Sequence, residues 1–514
     1  MRGPDNSSNE GSLQFHHVAA GPKEGPLDVA DRAAIDELRR VLQAAGLSGE
    51  GVRRALRSAG DLGAKPADVA VHRRRISRDD PLATLVELFV LELPVSLAAA
   101  ERAVAPMSAV QLERLGLVVR AGAELRPLVR IVPHDETLIV SDLRLQPGVE
   151  PRPDHVAGVQ GPSLTLSHLT VRRPAETALD IGTGCGIQAI LSARSSGRVV
   201  ATDLNDRALA FAAFNALLNG IDSIELRAGS LFEPVAGERF GLVTCNPPYV
   251  LSPESAYLYR DSGMKGDSVS RDVLLAMPAH LAEGAFSTTL VSWAHAPGKD
   301  WSAPLREWVV GNGCDAWLLH YGTDDPLTHS AKWNSEQLGQ DADALGETLD
   351  RWLAYFEDLG IEGIAYGAVI LRRRDGGANW IRADEMPLEG LQPASDHILR
   401  VFEAADFLAG DPDLRDERFA LAKRSVLEQR AVLEQHGWAL AGVTLTLDEG
   451  LGFRATLDSA TAELLAELDG QRTLAEVIGA LAPRQSVDPD TLTREALPAI
   501  SGLLGAGLLV RGHG

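Results

Sequence analysis

A strand-like run, FGLVTC at 240–245, ends in Asn246, Pro247, Pro248 and Tyr249. Proline removes a backbone donor and fixes φ, so a double proline stops the strand and stiffens the backbone beyond it. The strand end becomes a rigid platform. It carries one side chain that both accepts and donates hydrogen bonds, Asn246, and one flat face, Tyr249. Taken alone, such a stretch is a turn closing a buried strand. Motifs upstream give it a chemical reading.

Behind the buried run ALDI comes Asp180-Ile181-Gly182-Thr183-Gly184-Cys185-Gly186. Alternate glycines let a backbone bend tightly and approach a ligand at the carboxyl end of a sheet. A pyrophosphate loop would place its third glycine at position 187, where this chain has Ile187. The G-x-G-x-G form behind an acid fits S-adenosylmethionine better. Twenty-one residues beyond Gly182, at the end of VVATD, stands Asp203. A carboxylate there can accept hydrogen bonds from both ribose hydroxyls. The competing role, a helix N-cap, falls more naturally to Asp206. In Gly229-Ser230-Leu231, the backbone and Ser230 could meet an adenine while Leu231 covers its face. An ordinary strand-to-helix turn is the other reading of that segment.

This ordered set resembles the class I S-adenosylmethionine-dependent methyltransferases. Among them it is most similar to the amino-methyltransferases with the signature (N/D/S)PP(Y/F/W). The nearest likeness is to the glutamine-N5 methyltransferases of the HemK/PrmC type; adenine-N6 enzymes share the signature. It covers roughly residues 155–295 and includes YRDSGMKGDSVSRDVLLAMPAHLAEGA at 259–285. The chain departs from that family in its N-terminal region, in a C-terminal extension, and at Ser230, where many relatives carry Asp.

The resemblance implies a target with a planar amide or aryl amine, whose delocalised nitrogen lone pair is a poor nucleophile. The Asn246 side-chain oxygen and the Pro247 carbonyl can hold both hydrogens of an NH2, leaving the lone pair aimed at the methyl. Tyr249 would stack on the flat group. Orientation of this kind can lower a barrier by several kcal/mol. The expected catalytic set is Asn246, Pro247 and Tyr249. The expected cofactor set is Asp180, Gly182, Thr183, Gly184, Gly186, Asp203, Leu204, Ser230, Leu231 and Asn246. No metal site is expected.

These tips need a sheet to hold them. From about 150, β-rich runs (ETALDIG, RVVATDL, SIELRAGS, FGLVTCN, FSTTLVSWA, CDAWLLHYG and GIAYGAVILRR) alternate with Ala-rich helical stretches. Such alternation implies an α/β fold class, a Rossmann-like seven-stranded sheet. The last two runs are separated by an insertion containing LGETLDRWLAYFEDLG, read as an amphipathic helix whose Trp352, Tyr355 and Phe356 pack inward. Residues 1–26 are expected to form a disordered tail. Residues 27–150 read as a helical domain ending in a winged-helix-like hairpin, and 151–375 as the methyltransferase domain. A linker with helices is expected over 376–439. Residues 440–514 resemble a small winged-helix domain of the PqqD-like kind.

Length and composition fit this division. A chain of 514 residues calls for about three domains, and 45% hydrophobic with 23% charged residues is the composition of a soluble globular protein. Forty-nine basic against 71 acidic residues give a net charge of −22, which repels a phosphate backbone at long range. Cys185, Cys245 and Cys314 are too scattered for a disulfide framework or a zinc site and read as free thiols. The absence of a signal-like start or a long apolar run leads to a cytoplasmic expectation with no membrane partner.

Weaker candidates are Arg260 with Asp261 as a closing pair and the segment 158–165 over the cofactor. Arg372, Arg373 and Arg374 read as a solvated strand end, and His16 with His17 as solvated histidines. The expected function is N-methylation of an amide or amino nitrogen, with a protein glutamine first. RNA base methylation and a cofactor-binding scaffold without turnover are the alternatives.

Overall fold

The computed structural model describes residues 27–57, 66–76, 80–145, 152–254, 264–338, 342–376, 378–434 and 437–512. The expected tail, with His16 and His17, lies outside these residues, as do Arg260 and Asp261. At the centre is a sheet of strands β1 (Ala175–Ile181), β2 (Ser196–Asp203), β3 (Ile224–Ala228), β4 (Phe240–Cys245), β5 (Leu281–Ala294), β6 (Cys314–Asp324), β7 (Ile364–Arg373) and β8 (Ile381–Glu385). The order is β8-β6-β7-β5-β4-β1-β2-β3. Strands β1 to β5 run parallel to one another, and β7 lies antiparallel between β5 and β6. Central strands such as β7 are buried on both faces, which is why they read as unbroken Ile, Val, Ala and Leu rather than as alternation. The seven expected strands are present. The eighth, β8, extends the sheet to Glu385, ten residues past the boundary expected at 375.

Chain order reverses direction at β1, which has β2 on one side and β4 on the other. The carboxyl ends of β1 and β4 therefore flank the crevice where open α/β sheets bind ligands. Helix α1 (Ile187–Ala193) follows β1, and α2 (Asp206–Leu218) follows β2. Between β6 and β7 a helical pair is inserted, α3 (Pro326–Leu338) and α4 (Ala342–Leu359). Trp352 and Phe356 of α4 are buried, as its amphipathic spacing predicts, and α3 is an addition to the expectation.

The N-terminal part is mostly helical, but the helical run that begins at Pro81 ends at Val90, and Val95–Ser96 forms a short strand. That strand joins Glu124–Pro127 and Val118–Ala121 in a three-stranded sheet. The hairpin Val129–His134 with Thr137–Asp142, expected as the wing, instead docks on α2. The Asn215 amide donates to the Val140 carbonyl and accepts from its N–H, both at 2.8 Å, and Asn219 does the same to Leu138 at 2.9 Å. Two amides one helical turn apart thus stand in for a neighbouring strand. The Asp142 carboxylate pairs with the Arg207 guanidinium beside them.

In the C-terminal part, α5 (Ser395–Ala409) packs on the sheet. The stretch 376–439 is not only linker and helices: besides β8 it holds strands Arg418–Leu421 and β9 (Ser425–Glu434). SVLEQRAVLE is rich in helix formers, yet it pairs along its whole length with β10 (Gly437–Leu447), so strand pairing overrides propensity. Strand β11 (Arg454–Leu457) and three helices come next, the last being α6 (Pro489–Gly505), and Leu509–Arg511 closes the chain as a strand.

The triple arginine is not a solvated strand end. Arg372 and Arg374 both bind the fully buried Asp315 and reach Asp406 of α5, tying the C-terminal part to the sheet. Among the described residues no helix is long and apolar enough to cross a membrane.

Candidate active site

Strand register sets the site. Ile181 is level with Thr202 and with Cys245, and Asp203 with Ala228. The chain therefore leaves the sheet at one height at Gly182, Asp203, Gly229 and Asn246. Gly182 has φ +66, a left-handed conformation natural only to glycine, and a Cβ there would stand 3.7 Å from the Asn246 carbonyl. The Gly184 N–H donates to Asp203 Oδ2 at 2.9 Å, while Asp203 Oδ1 accepts from the Asn205 N–H at 2.9 Å. Gly184 is thus tied directly to Asp203, and Gly182 stands beside the Asn246 backbone at the same end of the sheet. A carboxylate offers about four acceptor directions, so beside its backbone donors Asp203 keeps acceptor capacity for a ligand hydroxyl. Burial pushes the Asp203 carboxyl above its ordinary range.

Not every expected cofactor residue faces the crevice. Asp180 is fully buried beneath it and accepts from the Thr183 hydroxyl at 2.7 Å and the Thr244 hydroxyl at 2.8 Å. It binds the glycine turn to β4. Desolvation raises its carboxyl to about 6, opposed by those two hydrogen bonds. Gly186, at φ +85, is a packing residue: a Cβ would press on Ala212 of α2 at 3.0 Å. The buried thiols of Cys185 and Cys245 are pushed up by the same desolvation, which leaves them unreactive.

Leu204 is exposed at the rim, 46% accessible. The Gly229 N–H donates to the Asp203 carbonyl at 3.0 Å, bringing the Ser230 turn to the same rim. Leu231 adopts φ +45, which strains a residue bearing a Cβ, and such strain gathers at ligand sites. The N-cap of α2 is Asn205 rather than Asp206: its side chain accepts from the Arg207 N–H at 2.9 Å. Segment 158–165 runs into the helix Gly161–Leu169, where Gln188 of α1 donates to the Ser163 carbonyl at 2.8 Å.

At the tip of β4, Asn246 Oδ1 is buried with no hydrogen-bond partner among the described residues. An unsatisfied buried acceptor costs about 1–3 kcal/mol, which a ligand donor would recover. The Pro247 carbonyl already accepts from the Tyr249 N–H at 2.7 Å and keeps its second lone pair. Tyr249 differs from expectation. Its ring is 9% exposed and packs in the apolar cluster with Trp352, Phe356 and Tyr366, so most of the face meant for a substrate is taken.

The structure adds residues that the sequence did not single out. His329 of α3 is fully buried. Its Nε2 lies 2.8 Å from the Leu251 carbonyl, so it carries the proton, and Nδ1 accepts from the Tyr366 hydroxyl. Glu254 accepts from Arg351 at 2.6 Å and from the Trp352 indole at 3.3 Å; the Gly266 N–H donates to the Tyr355 hydroxyl at 2.8 Å. The inserted pair α3–α4 thus grips the chain on both sides of 255–263. Only the amphipathic spacing of α4 hinted at this; nothing local marks His329. A cavity of about 620 Å³ lies elsewhere, between β8, β11 and α6, and none of these residues lines it.

This sheet with its ordered tips is that of a class I methyltransferase domain, and residues 159–258 match the family model described as the methyltransferase small domain. Within that class the domain is similar in sequence to glutamine methyltransferases. The chain is 34% identical over 143 residues to the release factor glutamine methyltransferase of Xylella fastidiosa, covering 25% of this chain and 50% of that protein. The same-named protein of Yersinia pestis is 40% identical over 195 residues, 35% of this chain and 65% of that one. The ribosomal protein uL3 glutamine methyltransferase of Bradyrhizobium diazoefficiens is 38% identical over 119 residues, 21% and 37% of the two chains. The chain spans about half the length of the first of these relatives. Residues 44–128 and 400–511 match two models described as domains of unknown function.

Proposed function

We propose that this chain is an S-adenosylmethionine-dependent N-methyltransferase acting on the side-chain amide of a glutamine in a protein, in the cytoplasm. The observation that carries the reading is the orphaned, buried Asn246 Oδ1 at the strand tip beside the glycine turn. A primary amide has two N–H groups to place. Asn246 Oδ1 would accept one and the free lone pair of the Pro247 carbonyl the other, turning the nitrogen lone pair toward the crevice. When bound, S-adenosylmethionine supplies an electrophilic methyl group on its sulfonium. Asp203 would hold its ribose hydroxyls, with Leu204, Ser230 and Leu231 around the adenine and Gly182 and Gly184 allowing close backbone approach. The residues fit that group: Asp203 has spare acceptor capacity, and a Cβ on Gly184 would meet nothing within 4 Å.

Asn246 needs no base strength, because an amide nitrogen loses its proton readily once methylated. The names of the relatives, release factor and ribosomal protein uL3 glutamine methyltransferases, support a protein glutamine over other amides. The test is incubation of the purified protein with labelled S-adenosylmethionine and extract from a strain lacking the gene. Label removed by protease, together with mass-spectrometric location on glutamine, is the expected result. Label removed only by nuclease would overturn the reading.

A further inference from the structure

Hairpin β9–β10 projects from the C-terminal domain. Strand β11 pairs only with Val443–Thr446 of β10, so beyond that point the hairpin is a two-stranded ribbon. Nine of the ten residues of β9 are exposed, and its outer edge pairs with no other strand among the described residues. A lone two-stranded ribbon is marginal in water, and an open edge is a template for another strand. The faces are not alike. One carries Leu427, Ala431 and Leu433, set against Leu445, Leu440 and Trp438. At the base this face belongs to the core, with Leu445 1% exposed. Toward the tip it emerges, with Leu440 at 49%, Leu433 at 65% and Trp438 at 74%. The other face carries Val426, Glu428, Arg430 and Val432, all exposed.

Strand β9 is self-complementary about Gln429: Val426 mirrors Val432, Leu427 mirrors Ala431, and Glu428 mirrors Arg430. We propose that β9 pairs antiparallel with β9 of a second copy of this chain, the twofold axis passing through Gln429. Directly opposed residues on antiparallel strands share a face, so each Glu428 meets Arg430 of the partner subunit, and valine meets valine beside them. In this register Leu433 stands opposite Ser425 of the partner subunit. Ser425 is itself level with Leu447. The exposed apolar tip of each hairpin therefore lands on the base of the other, and two ribbons become one four-stranded sheet. A net charge of −22 on each chain opposes association at long range; opposite charges along the contact strand offset this locally.

Sedimentation equilibrium of the full-length protein tests this without reference to methyl transfer. The expected result is a monomer–dimer equilibrium that Glu428→Arg weakens on the order of tenfold or more, because arginine then faces arginine at two places. The double change Glu428→Arg with Arg430→Glu is expected to restore the wild-type constant, since it reverses each pair without breaking it. Both side chains are exposed, so unchanged circular dichroism would separate association from folding. A protein that stays monomeric at its highest soluble concentration, a dimer indifferent to Glu428→Arg, or a double variant as weak as the single one would overturn the proposal.

Discussion

The two halves of the crevice are held by different means. On the side of β1, β2 and β3 many of the ties are short: Thr183 bonds Asp180 three residues away, Asn205 bonds Asp203 two away and Gly184 bonds Asp203 nineteen away, with longer ties from Asp180 to Thr244 and from Asn205 to the Asp154 carbonyl. On the side of β4 the backbone is gripped from far along the chain. His329 is 78 residues from Leu251, Tyr355 is 89 from Gly266 and Trp352 is 98 from Glu254. A turn held largely by its neighbours in sequence depends little on the insertion. A gripped one takes its shape from the insertion, so the acceptor side can be retuned without disturbing the side that would hold the cofactor.

The sharpest way to separate the halves is Asn246→Ala. Losing the acceptor that orients the amide is expected to lower turnover about 10²-fold or more, while affinity for S-adenosylmethionine stays within about twofold. Turnover undiminished would remove the orientation mechanism. Asp203→Ala should invert the pattern. Loss of charged hydrogen bonds to two hydroxyls is expected to weaken cofactor binding by on the order of tenfold or more, read by titration calorimetry, with turnover partly recovered at saturating cofactor. Weak binding in both variants would mean that the halves are not separable.

This division also explains what could be read from residue order. The glycine turn, Asp203 and the NPPY stop are local statements: a residue type at a strand end says what its backbone must do, and the regular alternation of strands and helices supplied the sheet. His329 was invisible because a buried histidine bonded to a distant carbonyl leaves no local pattern. The occupied face of Tyr249 was missed for the same reason, since α3 and α4 cover it from more than 70 residues away. Strand β9 misled in the opposite way. Its leucines, glutamates and single glutamine are good helix formers, and only the partner strand beyond the turn makes it extended.

His329→Leu tests the grip directly. It removes the donor to the Leu251 carbonyl, two residues beyond Tyr249, and is expected to lower turnover several-fold to about tenfold with cofactor affinity unchanged. His329→Gln, which can donate to Leu251 and accept from Tyr366, should recover part of the loss. A merely structural role would lower the melting temperature and cofactor affinity together and would show no such rescue.

The smallest effect on turnover is expected from Asp180→Asn, because Asp180 touches the crevice only through Thr183 and Thr244. Its signature is in stability against pH. The unfolded carboxyl titrates near 3.9, and the folded one is raised to about 6, so the fold favours the protonated form. Below the unfolded value both states hold the proton and nothing is lost. As pH rises toward 6 the unfolded chain ionises first, and the native state loses relative stability, on the order of 3 kcal/mol by the time both forms are ionised. Asparagine cannot ionise, and it can accept from one threonine hydroxyl while donating to the other. Wild type should therefore fall relative to Asp180→Asn between pH 4 and 6, with a constant gap above that window. Asp203 is raised in the same direction and its charge adds to the rise at Asp180, so the difference reports Asp180 together with its coupling to Asp203. A gap that does not change across the window would mean that hydrogen bonds from Thr183 and Thr244 hold Asp180 ionised at ordinary carboxylate pH.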